Sequence, residues 1–241
     1  MQKITSTIEK IMIKNSGKIY IAKDFEQKLN INKKTANSIL DELAKKGKIV
    51  RLIDDLYTKP EYSKLLQKYV NPSVDKVAQK IAKKFNWTIA PGGVATLNYT
   101  GISTQVANEY VYISDGKSTV YNYNNWKIQF KHTPSKYIKP HSTGLSILIE
   151  AIRISAKWYI TIKDIKMWAF YVKRVHINDD LDYASKKLPF WLRDILLKIK
   201  EIKELKEDEK FLCLSSKQQR KIISSVIKKN KHGFWTWIGR D

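Results

Sequence analysis

Residues 32–59, NKKTANSILDELAKKGKIVRLIDDLYTK, decide how this chain is read. Ala36, Ile39, Leu40, Leu43 and Ala44 recur at i, i+3, i+4, i+7 and i+8, which lays a single apolar stripe along a helix. Gly47 ends that helix, and residues 48–52 are expected to pair with 56–59 across Ile53, Asp54 and Asp55. Helix, stop and hairpin in this order is the pattern of a winged helix-turn-helix, which sets a helix into a DNA groove. Lys33, Lys34, Thr35, Asn37 and Ser38 fall on the exposed face of the helix's N-terminal half. Asn and Ser can hydrogen-bond base edges, while Lys serves phosphates or guanine. Asp41 and Glu42 would repel a phosphate, so the DNA-facing zone should end near Ser38. Arg51 is the hairpin's one arginine and its candidate DNA contact, whereas the acidic tip at Asp54 and Asp55 should stay clear of the duplex. Winged helices also act as pure protein-interaction modules, and the residues leave that alternative open.

Upstream, Ile4, Ile8 and Ile11 predict a helix over about 2–14, stopped by Asn15, Ser16 and Gly17. A short strand at 18–21 and a second helix over about 22–29, with Phe25 and Leu29 on one side, complete the module. Lys and Arg number 45 against 23 Asp and Glu in 241 residues, a net charge of +22 that favours a polyanionic partner. Thirteen basic and seven acidic residues lie up to Lys59, a net +6, leaving +16 for the remainder. Lys117, Lys127, Lys131, Lys136 and Lys139 occupy a stretch without any acidic residue, and Arg220, Lys221, Lys228, Lys229, Lys231 and Arg240 follow near the C-terminus. They read equally as a second nucleic-acid surface or as a solvated lysine-rich face.

The domain expectation is a DNA-binding module over 1–60, a connector over 61–73 with a helical middle, and an α+β domain over 74–241. Val74, Val77, Ala78, Ile81, Ala82 and Phe85 open the last part as an amphipathic helix. A strand at 87–90, the turn Pro91-Gly92-Gly93, a helix over 94–99 and strands at 109–114 and 118–123 follow. In a further strand Trp126, Ile128 and Phe130 alternate onto one face, giving a small mixed or antiparallel sheet. From His141 onward the pattern is mainly helical: Leu145, Ile149, Ile152 and Ala156 mark one helix, Leu188 to Ile199 another, and Ile222, Ile223, Val226 and Ile227 the last.

Catalytic signals are weak, and no enzyme is expected. The single Cys213 excludes a disulfide and has no local His partner. Asn178, Asp179, Asp180 and Asp182 read better as an acid-rich helix start than as a metal site. Trp235 and Trp237 suit anchoring of the tail on the body better than base stacking. Neither cofactor nor metal is expected. With no signal-like segment and no long apolar run, a cytoplasmic protein without a membrane partner is the expectation.

Residues 91–134 carry a resemblance. PGGVATLNYTGISTQV, VYISDG and IQFKHTP follow one another as in the C-terminal domain of AbiEi-type antitoxins of type IV toxin–antitoxin systems. The family wording is P-S-G-x-x-A-x-N-x-L-G-L-S-T-Q-V, then V-Y-L-T-D-G; KKGKIVRLIDDLYTK is similar to its G-x-I-x-R-L-x-x-G-L-Y. Gly92 replaces the small polar residue, Thr100-Gly101-Ile102 replaces Leu-Gly-Leu, and Asp55 stands where the wing has Gly. The resemblance implies an autorepressor that binds double-stranded DNA at repeats in its own promoter and neutralises a nucleotidyltransferase-like toxin encoded beside it. The matching positions are Pro91, Gly92, Asn98, Gly101, Ser103, Thr104 and Gln105. Gly92, Gly93 and Gly101 permit turns closed to other residues, and Ser103 and Thr104 suit capping, so a structural role competes with direct contact to a toxin. A stand-alone regulator with a sensing or dimerisation domain, and a nucleic-acid-processing enzyme, are the rival readings.

Overall fold

The computed structural model describes residues 2–158, 160–177, 181–205 and 214–228. It is a mixed α+β chain with small antiparallel sheets. Two compact units divide it: Met1–Trp87 with Thr119–Gln129, and Thr88–Ser118 with Phe130–Asp241.

In the first unit α1 (Gln2–Lys14), β1 (Ile19–Tyr20), α2 (Ala22–Leu29), α3 (Lys33–Lys45), β2 (Val50–Ile53) and β3 (Leu56–Thr58) follow in order. The three strands form an antiparallel sheet ordered β1-β3-β2. Ile8 and Met12 of α1, Phe25 of α2, and Ala36, Ile39, Leu40 and Leu43 of α3 make one core with Tyr20, Ile49 and Tyr57. Burying each large apolar side chain stabilises by roughly 1.5–3 kcal/mol, and the stripe along α3 places three of them there at once, with Ala36 beside them. Asn32 caps α3 by accepting from the Thr35 backbone N–H at 2.8 Å. Gly47, at φ +66°, supplies the left-handed residue that turns the chain out of the helix.

The expected connector is different. Residues 61–73 hold a hairpin of β4 (Glu61–Ser63) and β5 (Lys68–Val70), not a helical middle. Leu65 and Leu66 lie in its turn and are 92% and 56% exposed. Tyr62 and Tyr69 sit directly opposite each other with ring centroids 5.3 Å apart, and this cross-strand aromatic pair favours the hairpin. α4 (Val74–Phe85) follows, capped by Ser73, with Val74, Val77, Ala78, Ile81 and Ala82 buried. The unit then takes in β8 (Thr119–Tyr123), whose buried Tyr123 donates its hydroxyl to the Pro72 carbonyl at 2.6 Å.

In the second unit β6 (Ile89–Pro91) pairs antiparallel with β7 (Tyr110–Ser114), and α5 (Ala95–Tyr99) lies between them in sequence. β9 (Trp126–His132) begins in the first unit and ends in this one. Ile128 and Phe130 are buried as their alternation predicts, whereas Trp126 at the strand's start is 45% exposed. Beyond a 3-10 turn at Ser135–Tyr137, the helices α6 (Thr143–Ser155), α7 (Ile162–Arg174), α8 (Leu181–Ser185), α9 (Phe190–Leu205) and α10 (Ser216–Lys228) build the larger core. α7 is the helix that the sequence reading does not single out, although Ile165, Trp168, Ala169 and Val172 repeat at helical spacing and are all buried. Thr161 and Asp164 form its capping box, each side chain satisfying the other's backbone N–H. None of the helices among the described residues is long and apolar enough to cross a membrane.

Candidate nucleic-acid interface

The core stripe of α3 dictates what its other side presents. Lys33, Lys34 and Ser38 are exposed on the first turns, while Thr35 and Asn37 are half-buried. The Asn37 side-chain oxygen is buried without a hydrogen-bond partner among the described residues. That oxygen is turned inward, away from the face that Lys33, Lys34 and Ser38 present. Ser38 donates back to the Lys34 carbonyl at 3.1 Å, leaving its lone pairs outward.

Arg51 stands beside two carboxylates. Its guanidinium donates to Asp54 at 2.8 Å and lies 3.8 Å from Asp41. Asp41 also accepts from the buried Tyr57 phenol, whose proton is held well above the ordinary range by burial and then by that hydrogen bond. An arginine shared by two carboxylates offers little net charge to a phosphate. The β2–β3 turn is occupied as well: Asp55, at φ +62°, accepts from Lys84 of α4 at 2.8 Å. The Lys84 hydrogen bond holds the Asp55 carboxyl below the usual carboxylate range, and the charges of Lys84, Lys33 and Arg51 act in the same direction. One turn earlier on α4, Lys80 pairs with Asp24 of α2 at 2.6 Å. The acidic tip is thus a docking point for α4. Lys80 and Lys84 share a helix face by their i, i+4 spacing, but their carboxylate partners lie 56 and 29 residues away, beyond any local sequence pattern.

The matching residues of the second unit are held together by backbone geometry. Pro91 pairs with Tyr112 at the end of β6, and the Gly92 N–H donates to the Val111 carbonyl at 2.9 Å. A Cβ on Gly92 would lie 2.9 Å from the Ile113 backbone nitrogen, so only glycine fits without moving the strand. Gly101, at φ +83°, reverses the chain after α5. Asn98 then reaches the carbonyls of Ser103 and Gln105 at 3.4 and 3.3 Å, and the Ser103 hydroxyl accepts from the Gln105 N–H at 3.1 Å. Thr104, Gln105 and Val106 are exposed on this clamped, extended segment. Beneath it lies a cavity of about 180 Å³ lined by residues that include Gly92, Val94, Val106 and Val111.

A third cluster escapes sequence reasoning. Arg153 of α6 stacks 4.3 Å over the Tyr137 ring and donates to Glu150 at 2.8 Å and to the Thr133 hydroxyl at 3.1 Å. Burial pushes the Glu150 carboxyl up against the opposing pull of Arg153, Lys157 and Lys131. The arrangement ties α6 to the segment leading out of β9. Asp182 faces Lys200 of α9 in an ion pair, whereas Asn178, Asp179, Asp180, Cys213, Trp235 and Trp237 lie outside the described residues. No group of three metal-ligating side chains occurs among the described residues.

The chain belongs to a family of unknown function, DUF6088, whose model matches residues 6–179. That span covers all of the first unit except the start of α1, and the second unit as far as the end of α7. Neither a curated protein nor a solved structure matches the chain.

Proposed function

We propose that the first unit is a winged helix-turn-helix that binds double-stranded DNA through the N-terminal half of α3, and that the chain is a transcriptional autorepressor with antitoxin activity. The observation that carries the DNA reading is the exposure of Lys33, Lys34 and Ser38 on a helix whose opposite side is core, in the order helix, strand, helix, helix, strand, strand. In this reading the β2–β3 turn is not a groove-penetrating finger, because Arg51 and Asp55 already have partners within the unit. Gel-shift titration against the DNA upstream of its own coding sequence tests the assignment. Lys33→Gln and Lys34→Gln should each lower the slope of log affinity against log salt by about 0.9, for all duplex sequences alike. A K33Q/K34Q/S38A protein that binds as wild type does would sink it.

The antitoxin half rests on the resemblance of residues 91–134 and is supported by the exposed, clamped segment at Thr104, Gln105 and Val106. It neutralises a nucleotidyltransferase-like toxin encoded by the adjacent gene. Co-expression of the two, scored for growth, should show rescue by the full chain. Failure of rescue by a folded, DNA-binding protein would leave a stand-alone regulator.

A further inference from the structure

A groove of about 460 Å³ runs between the α1–β1 turn and α4 in the first unit. Lys76, Lys80 and Lys83 line it from one face of α4, and Gly17, Lys18 and Glu61 line it from outside that helix. Lys80 is engaged by Asp24, and Glu61 contributes one negative charge. Lys18, Lys76 and Lys83 make no ion pair among the described residues and leave the groove basic.

We infer that this groove holds backbone phosphates of the DNA duplex that α3 engages, so that α4, and not the β2–β3 turn, supplies the protein's second DNA contact; this rests on the DNA reading above. Three observations support it. The helix carrying the groove lysines ends at the proposed interface: Lys84, one residue beyond Lys83, is bonded to Asp55, and the charge of Lys33 acts on that same carboxyl. The length fits, since Lys76 to Lys83 spans about 10 Å of helix, enough for its lysines to reach more than one phosphate of a strand. The chemistry fits a backbone and not a base, because the lining has no aromatic ring on which a nucleobase could stack, and lysines bind phosphates as flexible point charges.

The test compares full-length K18Q/K76Q/K83Q with K33Q/K34Q on the native upstream duplex and on a scrambled duplex of equal length. Thermal unfolding should be unchanged, because all three groove lysines are on the surface. The groove variant should lower the salt slope by about two to three units on both duplexes while keeping the wild-type preference between them. Charge reversal in K76E/K83E should weaken binding further. A slope unchanged in the groove variant but lowered in K33Q/K34Q overturns the inference and leaves the DNA reading standing. A slope unchanged in both overturns the two together. Saturable binding of tripolyphosphate that is lost in the groove variant, with duplex binding intact, also overturns it, by making the groove a small-anion site.

Discussion

The exposed end of α3 and the loop between β6 and β7 are both candidate recognition surfaces, but they are built in opposite ways. The first offers long cationic side chains on a helix whose stability comes from its far side, where Ala36, Ile39, Leu40 and Leu43 are buried. The second offers a short extended segment whose shape comes from glycines and from the Asn98 clamp. Charge can be altered on the helix without disturbing the fold. On the loop, the residues that resemble a motif are the ones that hold its shape, so a change there acts first on structure. The two surfaces should therefore fail differently: one by losing affinity in a folded protein, the other by losing order.

Gly92→Val is the severest way to break that contrast. The new Cβ would meet the Ile113 backbone nitrogen at 2.9 Å, and a strand backbone gives way less easily than a side chain. We expect a loss of roughly 1–3 kcal/mol in denaturant unfolding, the usual range for forcing atoms into a packed site. Stability equal to wild type would show that the loop tolerates a side chain there, and the motif's glycine would then need a functional reason.

Asn98→Ala is milder. It removes two long, solvent-exposed hydrogen bonds to the Ser103 and Gln105 carbonyls, worth about 1 kcal/mol or less together. Its effect should be local: faster amide exchange and protease cleavage around Thr104 to Val106, with the global unfolding midpoint nearly unmoved. Unchanged local exchange would mean that the clamp does not set the segment's shape.

Where the physics is local, the sequence could be read. The apolar stripe of α3, the stop at Gly47 and the alternation ending in Ile128 and Phe130 each arise from residues a few positions apart. The hairpin at 61–73 escapes a local reading, because it rests on the pairing of Tyr62 with Tyr69 across a turn in which Leu65 and Leu66 lie exposed. The partners of Arg51, Asp41 and Asp55 were not legible either. An acidic pair at a hairpin tip reads as repulsion toward DNA until Lys84 is found against it. The groove lysines pose the same difficulty, since Lys18 meets α4 only through the tertiary fold.

Asp55→Asn gives the smallest effect and sharpens the contrast most, because it tests whether a charged contact in the first unit matters to folding at all. The Lys84 hydrogen bond holds the Asp55 carboxyl below its ordinary value in the folded state. A carboxylate with a depressed folded pKa contributes stability that is present above the unfolded pKa of about 3.9 and lost as pH falls through the folded value. Wild type should therefore exceed the variant at neutral pH, and the difference should vanish in acid. With Asp55 44% exposed, water screens the pair, and the neutral-pH difference should be no more than about 0.5 kcal/mol. Unfolding curves at neutral pH and in acid well below the ordinary carboxylate range decide it. A difference that persists in acid would have to come from packing or from the strained φ of residue 55. No difference at either pH would mean that the ion pair adds nothing to holding α4 at the hairpin tip. The first unit's surface charges would then be left entirely to binding.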